Sequence, residues 1–343
     1  MLACCLLLLL GAAVLRAEES EQVVAQRAYQ TGGFVYLEDH RVRVEILVPL
    51  SEVGSVYPPA ESGEAEWSAE RQASKGPLIG SVLEAAVAMT INGQSVMPEE
   101  TRVVFVDMRA PMTPSPDKPT AISTEWGAVG VILPYVPRAG TVSEVEVAFT
   151  GFSGGLTQLP VRILSRSEES GRLLTPRQNR LMATHRRGEG AVARGQVSSA
   201  GRDLSQAEDM DAALLEILQN VYHAFEYGRD EDVYDALART VSGELLQRVY
   251  LDVRRSLVME QEGGASASVR GIRIKEVQWV SREGSTTALN ATWQVEGTLE
   301  HWGHVHARTN EYSGRVALND EKGFLKLVEL RIERHERVEE AIR

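Results

Sequence analysis

The sequence predicts two domains, a β-sandwich followed by an α+β domain of three helices and a curved antiparallel sheet. Three observations predict this. Short apolar runs punctuated by Pro and Gly recur between Phe34 and Leu164, at the spacing of strands. From Met210 the apolar residues switch to helical spacing. After Gly263-Gly264 the chain returns to long alternating segments. A length of 343 residues accommodates two domains of ordinary size, and 43 % hydrophobic with 24 % charged residues is a globular composition.

Residues 1–17 read as a cleavable signal peptide. Leu2 to Leu15 is apolar throughout apart from Gly11, with a leucine run at its centre. That length suits a signal core and is too short for a membrane-spanning helix. Leu15-Arg16-Ala17 forms the cleavage triplet, and the acidic Glu18 follows. No Lys or Arg precedes the run, and the alternative is an uncleaved N-terminal anchor. Both cysteines, Cys4 and Cys5, lie within this segment, so the mature chain holds no disulfide and no thiol nucleophile. The expected location is the periplasm or an extracytoplasmic face. The formal net charge of −12 becomes more negative on loss of Arg16, which argues against nucleic acid as a partner.

The β-sandwich is expected over residues 18–165. Arg41-Val-Arg-Val-Glu-Ile-Leu-Val alternates polar and apolar until Pro49, and Phe34-Val-Tyr-Leu precedes it across a short turn at Glu38-Asp39-His40. Val82 to Ile91 reads as a strand that ends in Asn92-Gly93, a strong hairpin signal. Val103–Val106, Ala128–Tyr135, Ser143–Phe149 and Val161–Leu164 complete the set. Val53 to Lys75, rich in Ser, Glu and Pro, predicts an irregular loop. Residues 166–208 predict a flexible basic linker. Eight arginines face four acids between Ser165 and Ser205, and apolar periodicity is nearly absent.

The α+β domain is expected over residues 209–336, with 337–343 as a tail. Leu214, Leu215, Ile217, Leu218, Val221, Tyr222 and Phe225 form the stripe of a first helix that stops at Gly228. Asp230 to Ala238 forms a second helix, its acids favouring the N-terminal end of the dipole. Gly243 to Gln261 forms a third. Strands are expected at 268–280, 286–299, 304–318 and 323–333. Trp293 shares a strand face with Leu289, Ala291, Val295 and Leu299, the face expected to pack on helix residues such as Leu218.

In the order and length of these elements, including Val233-Tyr-Asp-Ala-Leu-Ala in the short second helix, residues from about Met210 to Arg334 resemble the nuclear-transport-factor-2-like superfamily. One departure is that Arg239-Thr-Val-Ser-Gly leaves no room for the small hairpin common in that superfamily between the second and third helices. The resemblance implies a cone-shaped fold whose concave sheet face encloses a ligand. Ketosteroid isomerase, in the same superfamily, uses an Asp base with Tyr and protonated-Asp donors, and none of those positions is matched. Val42-Arg-Val-Glu-Ile-Leu-Val-Pro-Leu is similar to the extracytoplasmic segment of nickel-permease-like membrane proteins.

Two groups of residues are candidates for chemistry. His301-Trp-Gly-His304-Val-His306 gathers three histidines within six residues, and imidazoles suit Zn, Cu and Ni. Side chains at i and i+2 of a strand share a face, so His304 and His306 can share an ion. A turn at Trp302-Gly303 would bring in His301. The row His304, His306, Arg308, Asn310 and Tyr312 has the alternation to line the concave face. The plain alternative for both is a polar strand face.

The expected function is a non-enzymatic binding or scaffolding protein of the envelope, with an envelope or membrane-protein partner and a small ligand. No cofactor is expected. One alternative is a metal-handling accessory protein with a Zn or Ni ion at the histidine cluster, and a second is an enzyme acting on a small ligand in the cone pocket.

Overall fold

The computed structural model describes residues 30–57, 64–109, 120–153, 155–165, 168–186, 195–263 and 266–338. The expected signal peptide at 1–17 lies outside them. The chain is a mixed α/β protein that divides into two compact units, with the elements from Gly32 to Thr184 in the first and those from Val197 to Val338 in the second. Among the described residues no helix is long and apolar enough to cross a membrane.

The first unit holds two main sheets. One runs in the order β11 (Glu169–Leu174), β10 (Leu159–Ser165), β1 (Gly32–Leu37), β2 (Val42–Pro49), β8 (Gly127–Tyr135), β6 (Arg102–Asp107). The other is β12 (Arg180–Thr184), β9 (Glu144–Phe149), β4 (Val87–Ile91), β5 (Gln94–Val96). A small pair joins β3 (Glu66–Trp67) to β7 (Ile122–Ser123). Val35, Val44, Val131 and Leu133 of the larger sheet share one core with Met89, Val145 and Val147 of the smaller. Each such side chain contributes about 1.5–3 kcal/mol on full burial. The expected antiparallel pairing holds except between β1 and β10, which run parallel.

Three local expectations are corrected in this unit. Where an irregular loop was expected there are two helices, α1 (Val53–Val56) and α2 (Ala69–Ala86). Ser68 caps α2 by accepting from the Arg71 N–H at 3.2 Å. Gly76, Pro77 and Gly80 read as breakers in the sequence, but the glycines lie where the helix meets β6. A Cβ on Gly80 would come 2.6 Å from Val103. The strand expected from Val82 therefore begins only at Val87, and Val82 belongs to the helix.

The second correction concerns the expected linker. Glu169–Leu174 and Arg180–Thr184 are strands of this unit, and Val197–Ser198 forms β13 of the other. β11 lies at a sheet edge with five exposed residues before the buried Leu174. Backbone pairing with β10 needs no apolar stripe, and apolar periodicity was the signal sought.

The third concerns β2, which is buried along its whole length. Its alternation of polar and apolar residues is the pattern of a strand with one face in water. Instead Arg43 and Glu45 are buried 3.3 Å apart, with the Arg43 guanidinium 4.2 Å above the Tyr36 ring. Asn92-Gly93 forms the predicted hairpin with both φ angles positive, 52° and 77°. The Asn92 carboxamide accepts from the Ser143 N–H at 2.9 Å and donates to the Thr141 carbonyl at 2.7 Å, tying this turn to the start of β9.

The second unit packs α3 (Ala207–His223), α4 (Asp230–Ala238) and α5 (Gly243–Gly263) with one antiparallel sheet. The sheet order is β13, β17 (Phe324–Val338), β16 (His304–Glu321), β15 (Thr286–His301), β14 (Ser266–Glu283). The predicted stripes are buried, with Leu214, Ile217, Leu218 and Val221 from α3, Val233 and Leu237 from α4, and Leu245, Val249 and Val253 from α5. Trp293 shares this core with Leu218. Lys326 donates to the carbonyls of Ala238 and Arg239 at 2.6 and 2.8 Å, satisfying the C-terminal end of α4. β14 carries three register shifts and the β16–β17 pair two. At one of them a Cβ on Gly314 would lie 2.1 Å from the Arg331 carbonyl oxygen, so the strands approach there as only glycine allows. β17 runs to Val338, past the boundary expected at 336.

Candidate functional site

Alternation along β16 sends every second residue to the face that packs on the helices. The sequence Leu318, Val316, Gly314, Tyr312, Asn310, Arg308, His306 thus forms one row. Leu318, Val316 and Tyr312 belong to the core. The row then turns polar while staying buried, with Asn310 at 2 % exposure and Arg308 at 7 %, and His306 is half-buried.

Cross-strand register sets the neighbours. Tyr312 pairs with Trp293 on β15 and with His335 on β17. The three rings form a continuous series, with Trp293 stacked on Tyr312 at 5.8 Å and Tyr312 tilted against His335 at 4.8 Å between centroids. In the next row Asn310 pairs with Val295 and with Arg337. Val295 in turn pairs with Ile272, and Trp293 with Ile274, on β14. A patch of nitrogen-bearing side chains is therefore bordered on one side by aliphatic ones.

Among the described residues, the Trp293 Nε1, the Asn310 Nδ2 and the His335 Nε2 are buried with no hydrogen-bond partner. Burying such a group unsatisfied costs about 1–3 kcal/mol. Burial pushes the Arg308 guanidinium below its ordinary value, and the charge of Arg337 adds to the effect. Burial likewise holds the His335 imidazole below its usual range, with Glu336 opposing.

Of the predicted pocket residues, the fold brings Tyr312, Asn310, Arg308 and His306 to one face. Tyr312 is itself core rather than lining, since it is fully buried between two rings. The side chain of His304, and that of His301, lie outside the described residues. Their backbones are informative. Trp302 and Gly303 form a two-residue turn with φ angles of 44° and 75°, and His301 pairs directly with His304 across it. Directly paired positions share a sheet face, so the chain turns at Trp302-Gly303, the alternative under which all three histidine positions converge. Among the described residues no group of three His, Cys, Asp or Glu side chains is arranged to hold a metal ion.

Sequence reasoning missed Trp293 as a polar group, and it missed His335 and Arg337 altogether. A register shift at Ser313/Gly314 skips Glu333, so Ile332 and His335, three positions apart, pair with the inward Gly314 and Tyr312, and period-two alternation could not have shown this.

No family model matches the chain, and no curated protein matches it. Among solved structures the chain is similar to the intermembrane space region of chloroplast protein ARC6, at 15 % identity and a TM-score of 0.25, over 37 % of this chain and 95 % of that one. It is also similar to a de novo designed β-sheet protein, at 13 % identity and a TM-score of 0.21, over 40 % of this chain and 94 % of that one. Likeness at these scores carries no functional argument.

Proposed function

We propose that this chain is an exported, non-enzymatic binding protein of the envelope. Its second unit is a nuclear-transport-factor-2-like cone that takes a small ligand on the inner face of its sheet. In the same reading the first unit is a β-sandwich, formed by the six- and four-stranded sheets that share one core, and it meets an envelope or membrane-protein partner.

One observation carries the ligand reading. The row along β16 passes from apolar core to the buried Asn310, whose amide nitrogen has no partner among the described residues. A ligand supplying the missing partner would recover the desolvation cost of that group. Native mass spectrometry of the full chain, purified without denaturant, tests the reading. A small-molecule mass that leaves on unfolding is expected. A bare chain that also takes up none of a panel of small amphiphiles would sink it.

A second reading is favoured by the pairing of His301 with His304 across the Trp302–Gly303 turn. In that reading the protein handles a Zn or Ni ion through His301, His304 and His306, imidazoles being suited to both metals. Metal content of the native protein separates the two.

A further inference from the structure

We infer that a second copy of this chain joins at the edge of β14, the strand pairing antiparallel with its own copy about a two-fold axis between Lys275 and Glu276.

The edge comes first. β14 is 18 residues long, ends the five-stranded sheet and pairs with β15 on one side only. A strand turns part of its backbone N–H and C=O groups away from a single neighbour, so a long edge is a template for another strand. The stretch beyond Ile272 is open, with Arg273, Lys275, Glu276, Gln278, Trp279 and Val280 all exposed. Trp279 is out of place there. It stands opposite Leu289, in the row where Ile272, Ile274 and Val277 pack against the core, yet it is 50 % exposed.

Register comes second. The pairing with β15 skips Lys275, so that Ile274 and Glu276 face the consecutive residues Trp293 and Thr292. This bulge makes Ile272 and Ile274 inward on one side of it and Val277 and Trp279 inward on the other. The set is symmetric about the Lys275–Glu276 bond, Ile272 matching Trp279 and Ile274 matching Val277. A copy turned about an axis through that bond, normal to the sheet, keeps its inward face inward. Ile272 then comes opposite the partner's Trp279 and Ile274 opposite the partner's Val277, and symmetry repeats both contacts. A regular strand could not pair in this way, because a two-fold between residues would set inward side chains against outward ones.

Charge comes third. In the same register Lys275 stands opposite the partner's Glu276, twice by symmetry, and Arg273 opposite the partner's Gln278. No two like charges stand directly opposite each other from Ile272 to Trp279. A lysine in mid-edge is a common guard against stray strands, and it is answered here by a strand that offers an acid at the matching position. Lys275 and Glu276 thus select the copy, while the backbone supplies hydrogen bonds and the apolar row supplies contact.

Sedimentation velocity of the full chain over about 1–100 µM tests the inference, and a monomer–dimer equilibrium is expected within that range. Glu276→Lys sets two lysine pairs about the axis, and Lys275→Glu sets two glutamate pairs. Each should weaken the dimer by about tenfold or more, since like charges directly opposite repel where the native pairs attract. The double swap Lys275→Glu/Glu276→Lys restores both pairs and should return the dimer to within a few-fold of wild type. Trp279→Ala should also weaken it, and serves if a charge variant fails to fold, which circular dichroism melting of each variant establishes. A wild type that stays monomeric throughout would overturn the inference and leave the edge to a strand of another protein. Single variants that dimerise like wild type would also overturn it, since the copies would then meet elsewhere. A double swap that dimerises no better than the single variants would overturn the register.

Discussion

His185 and Asp39 meet 2.7 Å apart in the first unit, Nε2 to Oδ1, with side chains only 1 % and 2 % exposed. The contact joins the residue after β12 to the turn between β1 and β2, 146 positions away in the chain. Two backbone bonds flank it, from the Val142 N–H to the Asp39 carbonyl and from the His185 N–H to that of Ser143. His185→Ala should cost about 1–3 kcal/mol by removing a partner from a buried carboxylate. The denaturant midpoint of the first unit is the measurement, and an unchanged midpoint would show that Asp39 is held by its other neighbours.

Gly314→Ala should destabilise the second unit by about 1–3 kcal/mol, as overpacking does. The added carbon would meet the backbone oxygen of Arg331 rather than the end of a side chain. Thermal unfolding of the variant beside Gly284→Ala tests this. Gly284 has a positive φ of 60° but nothing within 4 Å of an added Cβ, so its cost is conformational alone. A Gly314→Ala protein that melts like wild type would show that the strands can separate there at little cost.

Stability should fall as pH drops below about 6.5, the ordinary value for His335. Its folded pKa is depressed, mainly by burial, so the unfolded chain binds a proton at higher pH than the folded one. Between the folded value and 6.5 the unfolded state therefore holds more protons, and stability rises with pH across that window. His335→Asn should flatten this part of the profile. A slope that persists unchanged in the variant would assign it to other groups.

Zinc or nickel should bind the full chain with modest affinity, and His304→Ala/His306→Ala should abolish the binding heat. Isothermal titration reads both proteins directly. Equal heats from wild type and double variant would leave the histidines as polar strand residues.

Much of the second unit was legible because its signals are local. The stripe from Leu214 to Val221 spells a helix, and Leu289, Ala291, Trp293 and Val295 spell the inward face of a strand. Asn92-Gly93 spelled its own turn for the same reason. α2 was not legible, because Gly76-Pro77 and Gly80 look like interruptions until β6 is set against them. β11 and β12 were hidden by their exposure, since strands held at an edge by backbone pairing need little apolar alternation. The site was half legible. Arg308, Asn310 and Tyr312 fall in one row by parity alone, but the missing acceptor emerges only when β15 and β17 are laid beside β16 in register. The buried Arg43 and Glu45 illustrate the same limit, as polarity alone placed them outside.

The Trp302–Gly303 turn has a consequence for how this sequence can change. A one-residue slip of β16 against β15 would carry Asn310 and Arg308 to the opposite side and expel Tyr312, Val316 and Leu318 from the core. A residue inserted at the turn is therefore taken up by a longer loop while the strands keep their register. Length can drift at the turn, whereas the polar row changes only by substitution, one side chain at a time.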